Sequence, residues 1–530
     1  MKLRKILSYS LMFILLLSSN GCADKFLDFF PEDKMTSANF PKNESDIKLL
    51  LNGLYGVLRL PSSGSIWDAG FFDFGVLDGA TPNSFNWGGT AIDKIGMGSL
   101  SPTDGGTLTY IWTKGYSIIS RANYLLESIE KVEISDEAKS IYLGEAHFLR
   151  GLAYSRLVET YGGVPIITSI INTDEARNLA RATKEDTWNQ VIADYDIAIE
   201  KLSVTAPQVG RATKGAALGM KMRAYLYQGK YQNVLDIVKQ IDALNKYSLF
   251  PSYEGLFKLA NENNKEVLFD IQYIDGENGQ GSSQDQYAGI GTGSYTRGSR
   301  YVPTHNLVDA YERIDGSNSK YSTSVIDLNN PYDGWDPRLK FTIVVPGSYF
   351  LGYRFPNYIY PGGAYTHPGC RVKDLGTRKY FIEPFTDLPT PFHSSLNFSI
   401  LRYADVILSK AEAIIETNGS VDEAVALINR IRTERTDVKI TTLPLGLSRE
   451  AARDKLRHER RIEFAFEGTY WSDIKRWNIG KSLYPIEIRD HNNSLIETKF
   501  PNGYLEYYNL LPIPNNEISL NKNLVQNPGW

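Results

Sequence analysis

Cysteine is nearly absent from this chain: 530 residues carry two, Cys22 and Cys370. No disulfide framework can hold such a molecule together, so stability has to come from burial. Histidine is scarce as well. The six, at positions 147, 305, 367, 393, 458 and 491, include no two at metal-ligand spacing. No metal is expected, and a catalytic zinc site has no support. An excess of positive charge is also missing, with 57 Lys and Arg against 61 Asp and Glu. That removes the basic footprint of a nucleic-acid binder. After the first twenty residues no apolar run approaches the length of a membrane-spanning helix. The glycine-rich run "GIGTGSYTRG" lacks the Gly-Lys-Ser/Thr ending and the strand–helix context of a phosphate loop, and no G-x-S-x-G nucleophile elbow occurs. No cofactor is implied.

What the chain does have is 42% hydrophobic and 22% charged residues, enough for a large core. Aromatic residues make up 12%, with 33 Tyr against 8 Trp. Tyr offers a flat apolar face and a hydroxyl together, which suits partly polar ligands. The N-terminus reads as an export signal. Lys2, Arg4 and Lys5 precede the short apolar stretch "ILSYSLMFILLL", then "SSNGC". Residues 1–21 resemble a bacterial lipoprotein signal peptide, with Cys22 as the acylated first residue of the mature chain. Ser19 and Asn20 depart from the usual pattern just upstream. Removal of residues 1–21 takes away three basic and no acidic side chains, moving the formal charge from −4 to −7. Acyl chains on Cys22 would hold the protein at a membrane surface. Cys370 would then stand alone.

Beyond the anchor, helical periodicity dominates. "SDIKLLLNGLYGVLRL" carries one apolar face, with Ser45 as its expected N-cap. "TYIWTKGYSIISRANYLLESIEKV" is a second helix. "SDEAKSIYLGEAHFLRGLAYSRLVETYGG" is a third, capped by Ser135 and stopped by Gly162, Gly163 and Pro165. "ATKEDTWNQVIADYDIAIEKL" opens on a capping box, Thr183 with Asp186. "TKGAALGMKMRAYLYQGKYQNVLDIVKQIDAL" reads as two helices around a turn at Gly229. Small residues such as Ala153 and Ala224 let such pairs approach closely, in the manner of tetratricopeptide units. Near Gly276 the chain changes character. The stretch to about residue 400 is rich in Gly, Ser, Pro and Tyr without a period, and an irregular insert of that length is usually functional. Helices return at "RYADVILSKAEAIIETNG". The expected organisation is one unit over 22–530. Residues 22–275 carry the first helices and a first loop, 276–400 the insert, and 401–530 the last helices and a tail.

One segment mixes its chemistry. "LRHERRIEFAFEGTYWSDIKRW", residues 456–477, has nine charged and five aromatic residues. It stands with "DKFLDFFPED" after Cys22, "EAHFLRGLAYSRLVETYGGVPI", "PTHNLVDAYERIDG", "DPRLKFTIVVPG", "RYADVILSKAEAI" and the closing "PIPNNEISLNKNLVQNPGW". In that order these motifs resemble the SusD/RagB family of outer-membrane nutrient-binding lipoproteins, over essentially the whole mature chain. The resemblance implies a mainly α fold, with about four tetratricopeptide-like helix pairs packed against an irregular, loop-rich ligand-binding half. It implies a non-catalytic protein at the cell surface. Such a protein captures oligosaccharide and lids a SusC-like, TonB-dependent outer-membrane transporter. Tyr470 departs from the basic residue many members carry there. On this reading the mixed segment is scaffold. Arg460, Glu463 and Glu467 share a helix face in a buried Arg–Glu network, capped by Trp471 and Trp477.

A sugar presents flat C–H faces ringed by hydroxyls, so its site wants aromatic platforms and fixed polar partners. Two loops meet that description. The first supplies Trp67, Asp78, Asn86 and Trp87; the second supplies Tyr287, Tyr295, Arg297, Arg300 and Tyr301. Trp335, in "DGWDPRL", reads as packing for the Asp336–Pro337 turn. Three alternatives remain open from the residues: a peptide-binding member of the same family, a surface glycosidase, and a helical-repeat adaptor without a small ligand.

Overall fold

The computed structural model describes residues 40–59, 77–86, 91–275, 281–282, 291–292, 295–296, 301–350, 353–354, 374–382, 394–490 and 492–530. The protein is mainly helical, as expected. Its longer helices run α1 Glu44–Gly56, α2 Thr107–Ser128, α3 Asp136–Tyr161, α4 Lys184–Lys201, α5 Lys214–Tyr227 and α6 Tyr231–Ala243, then α7 Tyr403–Glu416, α8 Val421–Thr433, α9 Arg449–Glu463 and α10 Tyr470–Arg476. From α1 to α9 each helix packs on the next, the nearest-neighbour order of stacked helical repeats.

Local chemistry sets the ends. Ser135 accepts from the Ala138 amide, and Gly162 turns the chain out of α3 at φ +78°. Thr183 accepts from the Asp186 amide, and its hydroxyl meets the Asp186 carboxylate at 2.6 Å. The start of α1 differs from expectation. Asn43, not Ser45, is the N-cap, its Oδ1 accepting from the Asp46 amide at 3.0 Å. That register places Glu44 in the first turn, where a carboxylate complements the helix dipole. Close approach of helices to their neighbours relies on small residues. A Cβ on Gly151 of α3 would meet the Tyr195 ring of α4 at 3.0 Å, and one on Gly219 of α5 would meet Leu401 at 2.3 Å.

Two strands fix where the irregular half leaves and returns. β2 (Val267–Ile271) and β4 (Phe398–Arg402) pair antiparallel, Ile271 opposite Phe398. Between them in sequence lies β3 (Tyr301–Pro303), which pairs with β1 (Ser84–Asn86). A second core of its own, with Phe85, Val302, Trp335, Leu339, Phe350 and Phe466 among its members, underlies this half. Trp335 is buried in it, 5.2 Å from the Tyr321 ring and under the Arg313 guanidinium, the packing role expected of it.

The mixed segment joins the halves. Helix α9 stops at Glu463, so Arg460, Glu463 and Glu467 do not share one helical face as expected. They serve two networks. Glu463 receives Arg402 at 3.1 Å, Arg435 at 2.9 Å and Arg338 at 3.1 Å, all four side chains buried. Arg338 also holds Asp336 at 2.8 Å and Glu459 at 2.6 Å. Arg402 reaches Glu266 and Glu467, each at 2.6 Å. Lys379 donates to Glu467 at 2.5 Å and to the Ala465 carbonyl at 3.0 Å. Arg460 turns instead to Asp405 of α7 at 2.8 Å and Asp473 of α10 at 3.0 Å, and Arg223 of α5 shares Asp405. The aromatic residues face these cations. Arg402 and Arg460 both lie over the Phe464 ring, and Arg457 and Arg476 both lie over that of Trp477.

A buried charge costs desolvation that only full pairing offsets. Burial opposes ionisation of Glu463, but Arg435, Arg402 and Arg338 outweigh it and hold its carboxyl down at about 2. Its contribution is therefore present above the ordinary carboxyl range and lost as pH falls through about 2. Glu463→Gln leaves three buried guanidiniums short of charge. It should cost about 3–5 kcal/mol in urea unfolding at neutral pH, the range for breaking a buried pair.

Candidate functional site

The first candidate loop returns to the core through residues 77–86, and every step of that return is pinned. Asp78 opens the short turn Asp78–Ala80. Its carboxylate accepts from the Phe466 amide at 2.5 Å. Phe466 sits at φ +61°, a left-handed conformation that a bulky side chain adopts only when its surroundings over-determine it. Lys499 donates to the Gly79 carbonyl, and the Tyr484 hydroxyl to that of Ala80 at 3.1 Å. Thr304 caps the short helix His305–Val308 and ties this segment to the second loop. Its hydroxyl donates to the Pro82 carbonyl at 2.5 Å, and its amide to that of Asn83 at 3.1 Å. Arg461, from the mixed segment, donates to the Asn83 side chain at 2.7 Å and to the Asn306 carbonyl at 3.1 Å.

Above this base the two candidate loops meet. β1 and β3 are antiparallel, with Ser84 opposite Pro303, Phe85 opposite Val302 and Asn86 opposite Tyr301. Phe85 and Val302 are buried in the second core, and the Ser84 hydroxyl donates to the Val302 carbonyl at 3.1 Å. Asn86 and Tyr301 form the last pair of the ladder. Tyr295 lies on a two-residue strand, Tyr295–Thr296, paired with Gly291–Thr292. Asn86, Tyr295 and Tyr301 are thus placed by their backbone. Trp67, Trp87, Tyr287, Arg297 and Arg300 lie outside the described residues, as does Cys22.

Asp78 has a different place from the loop-surface one expected of it. It is fully buried, and its carboxylate serves the frame beneath the loops. Burial raises its carboxyl to about 7, with the Phe466 amide and Lys379 only partly offsetting the loss of water. Sequence reading also passed over Asn83, Thr304 and Arg461. The signal for Thr304 was present, since "PTHNL" has the form of an N-cap before a short helix; nothing local marks Asn83 or Arg461. Among the described residues no group of three or more His, Cys, Asp and Glu is placed to hold a metal ion, and no helix is long and apolar enough to cross a membrane.

A profile described as "SusD family" matches residues 265–530. The chain belongs to the SusD family. A second profile, "Starch-binding associating with outer membrane", matches residues 25–226. The SusD-like protein P2 of Formosa agariphila is 26% identical over 98% of this chain and 99% of its own length. The starch-binding protein SusD of Bacteroides thetaiotaomicron is 23% identical over 83% of this chain and 81% of its own. Among solved structures, a SusD-like carbohydrate-binding protein from Bacteroides fragilis superposes with a TM-score of 0.81 at 25% identity, covering 91% of this chain and 99% of that one. The SusD architecture accounts for the helical row and the irregular half together.

The Asp78 carboxyl has a measurable consequence. Its folded-state value lies above the ordinary carboxyl range, so it favours the folded state at acid pH and loses that contribution as pH rises through about 7. Asp78→Asn keeps an acceptor for Phe466 without the charge. The stability of D78N relative to wild type should therefore rise between pH 4 and pH 8, by on the order of 3 kcal/mol. Urea melts across that range would read the difference directly.

Proposed function

We propose that this SusD-family protein is a cell-surface lipoprotein that captures oligosaccharide and delivers it to a SusC-like, TonB-dependent transporter. It binds its ligand without cleaving it. The observation that carries this reading is the β1–β3 ladder. It pairs Asn86 with Tyr301 on a pinned base, and the sequences around that pair carry aromatic and polar residues, Trp67, Asn86 and Trp87 in one stretch and Tyr287, Tyr295, Arg297, Arg300 and Tyr301 in the other. Rigid placement of stacking platforms beside hydrogen-bonding groups is what recognition of a sugar requires. The named activities of relatives, starch binding and carbohydrate binding, support the same class.

A binding role without hydrolysis is supported by what occupies the obvious carboxylates. Glycoside cleavage uses two carboxyl groups flanking an open cleft. Glu459 and Glu463 are both buried, and each is held by arginines. The Cys22 signal supports attachment to the outer membrane, and the profile over residues 25–226 carries that association in its description.

The soluble chain starting after Cys22 should bind members of a broad oligosaccharide panel without releasing products. Trp87→Ala combined with Tyr295→Ala should weaken that binding at least about tenfold, since each stacked ring contributes on the order of 1 kcal/mol, with the thermal midpoint unchanged. Absence of binding across the panel, together with failure of the full-length protein to co-purify with an outer-membrane barrel, would overturn the reading.

A further inference from the structure

A groove of about 530 Å³ opens on the helical half, with no residue of the β1–β3 ladder in its lining. One side is a stripe of α2 that repeats every four residues, Trp112, Tyr116, Ser120 and Tyr124. At 1.5 Å per residue that stripe is about 18 Å long. Residues 165–177 and the C-terminal helix Asn515–Leu520 supply much of the rest. Two large apolar side chains stand open on it, Ile170 at 51% and Leu520 at 60% exposed. Scattered exposed apolar residues are ordinary, but apolar side chains gathered along a groove mark a docking surface.

Most polar groups of the groove are already engaged. The Tyr116 hydroxyl donates to the Pro165 carbonyl at 2.9 Å. Asn521 donates to the Ala176 and Leu179 carbonyls at 3.2 and 2.8 Å. Asn172 caps the short helix Thr173–Ala176, and Arg177 reaches Asp174 at 4.0 Å. Burial pushes the Glu517 carboxyl up, and a hydrogen bond with Trp112 opposes it. What the groove offers an occupant is therefore mainly apolar surface. The hydroxyls of a sugar would find few partners in it.

The start of the chain lies at its rim. Tyr124 donates its hydroxyl to the carbonyl of Phe40, the first described residue, at 2.8 Å. Residues 22–39, immediately upstream, lie outside the described residues, and their sequence carries "FLDFF" at 26–30, four large apolar side chains in five positions. Ten residues separate Phe30 from Phe40. Their reach, up to about 35 Å, exceeds the length of the stripe.

We propose that Phe26, Leu27, Phe29 and Phe30 dock in this groove against Ile170 and Leu520, strapping the N-terminal segment to α2 and the C-terminal helix. The docking needs no glycan. Its consequence rests on the reading of Cys22 as the lipid anchor. Four residues rather than eighteen then separate the lipid from the body of the protein. The maximal extension of the tether falls from about 60 Å to about 15 Å, which holds the protein at a set height above the membrane.

The test follows trypsin cleavage after Lys34 in the soluble chain starting after Cys22, where neither lipid nor glycan enters. Leu520→Glu should speed that cleavage about tenfold or more, because cleavage tracks the undocked population. Phe29→Ser combined with Phe30→Ser should do the same, and adding L520E to that pair should have no further effect. Leu520 is exposed and lies far from the cleaved bond in sequence, and unchanged circular dichroism would verify that the variants fold. Equal cleavage rates in all four proteins would overturn the proposal, as would acceleration by L520E alone. A wild-type dimer that L520E dissociates would overturn it too, assigning the groove to a second copy of the chain. Each of these outcomes leaves the glycan-binding and anchor readings standing.

Discussion

Glu463 lies at the end of a helix with three arginines around it, and the two halves of the molecule are joined there. Arg338 belongs to the irregular half, Arg402 to the strand that leads back from it, and Arg435 to the segment after α8. Each guanidinium has further acceptors, and several lie on aromatic rings, so the charges are desolvated without being orphaned. A hydrophobic contact would tolerate sliding between the halves. A multiply paired carboxylate does not, because displacement by an ångström or two strands buried charge. Orientation of the irregular half relative to the helical row is therefore set by directional bonds.

That constraint reaches the loops through a short chain of contacts. The turn after α9 holds Phe466 in a left-handed conformation, and its amide holds Asp78. Asp78 starts the segment that becomes β1, and β1 places β3. The helix thus fixes the charge network, the network's last turn fixes the segment that becomes β1, and the ladder fixes β3 against it.

Much of this was legible in the residues, for physical reasons that differ by region. Helices with a 3.6-residue period and side-chain caps at Ser135 and Thr183 can be read locally, because both signals act within a few residues. The buried Arg–Glu character of 456–477 was legible too, since no exposed helix needs so many aromatics. Its partition into two networks was not. That depends on where α9 ends, and the end is imposed by Phe466 and Gly468 in their left-handed conformations. The loops were recognisable by composition, but their meeting was not. The pairing of Asn86 with Tyr301 spans more than two hundred residues, and three-residue strands carry no usable alternation. Asp78 was misplaced on the loop surface for the same reason. An acidic residue in a Gly- and Asn-rich stretch looks solvent-exposed until a distant backbone amide is known to claim it.

The pairing of β2 with β4 sets the chain's departure from the helical half and its re-entry side by side. For a segment whose two ends are already fixed together, added or deleted residues change closure entropy only logarithmically, about 0.6 kcal/mol for each doubling in length. Loop stretches between those strands can thus change length at small thermodynamic expense, while the buried residues of the second core and side chains such as Arg338 and Lys379, which reach back to the carboxylates, hold the rest in place. The architecture behaves as a fixed chassis with loops of adjustable length, and its two electrostatic latches stay in place while those loops change.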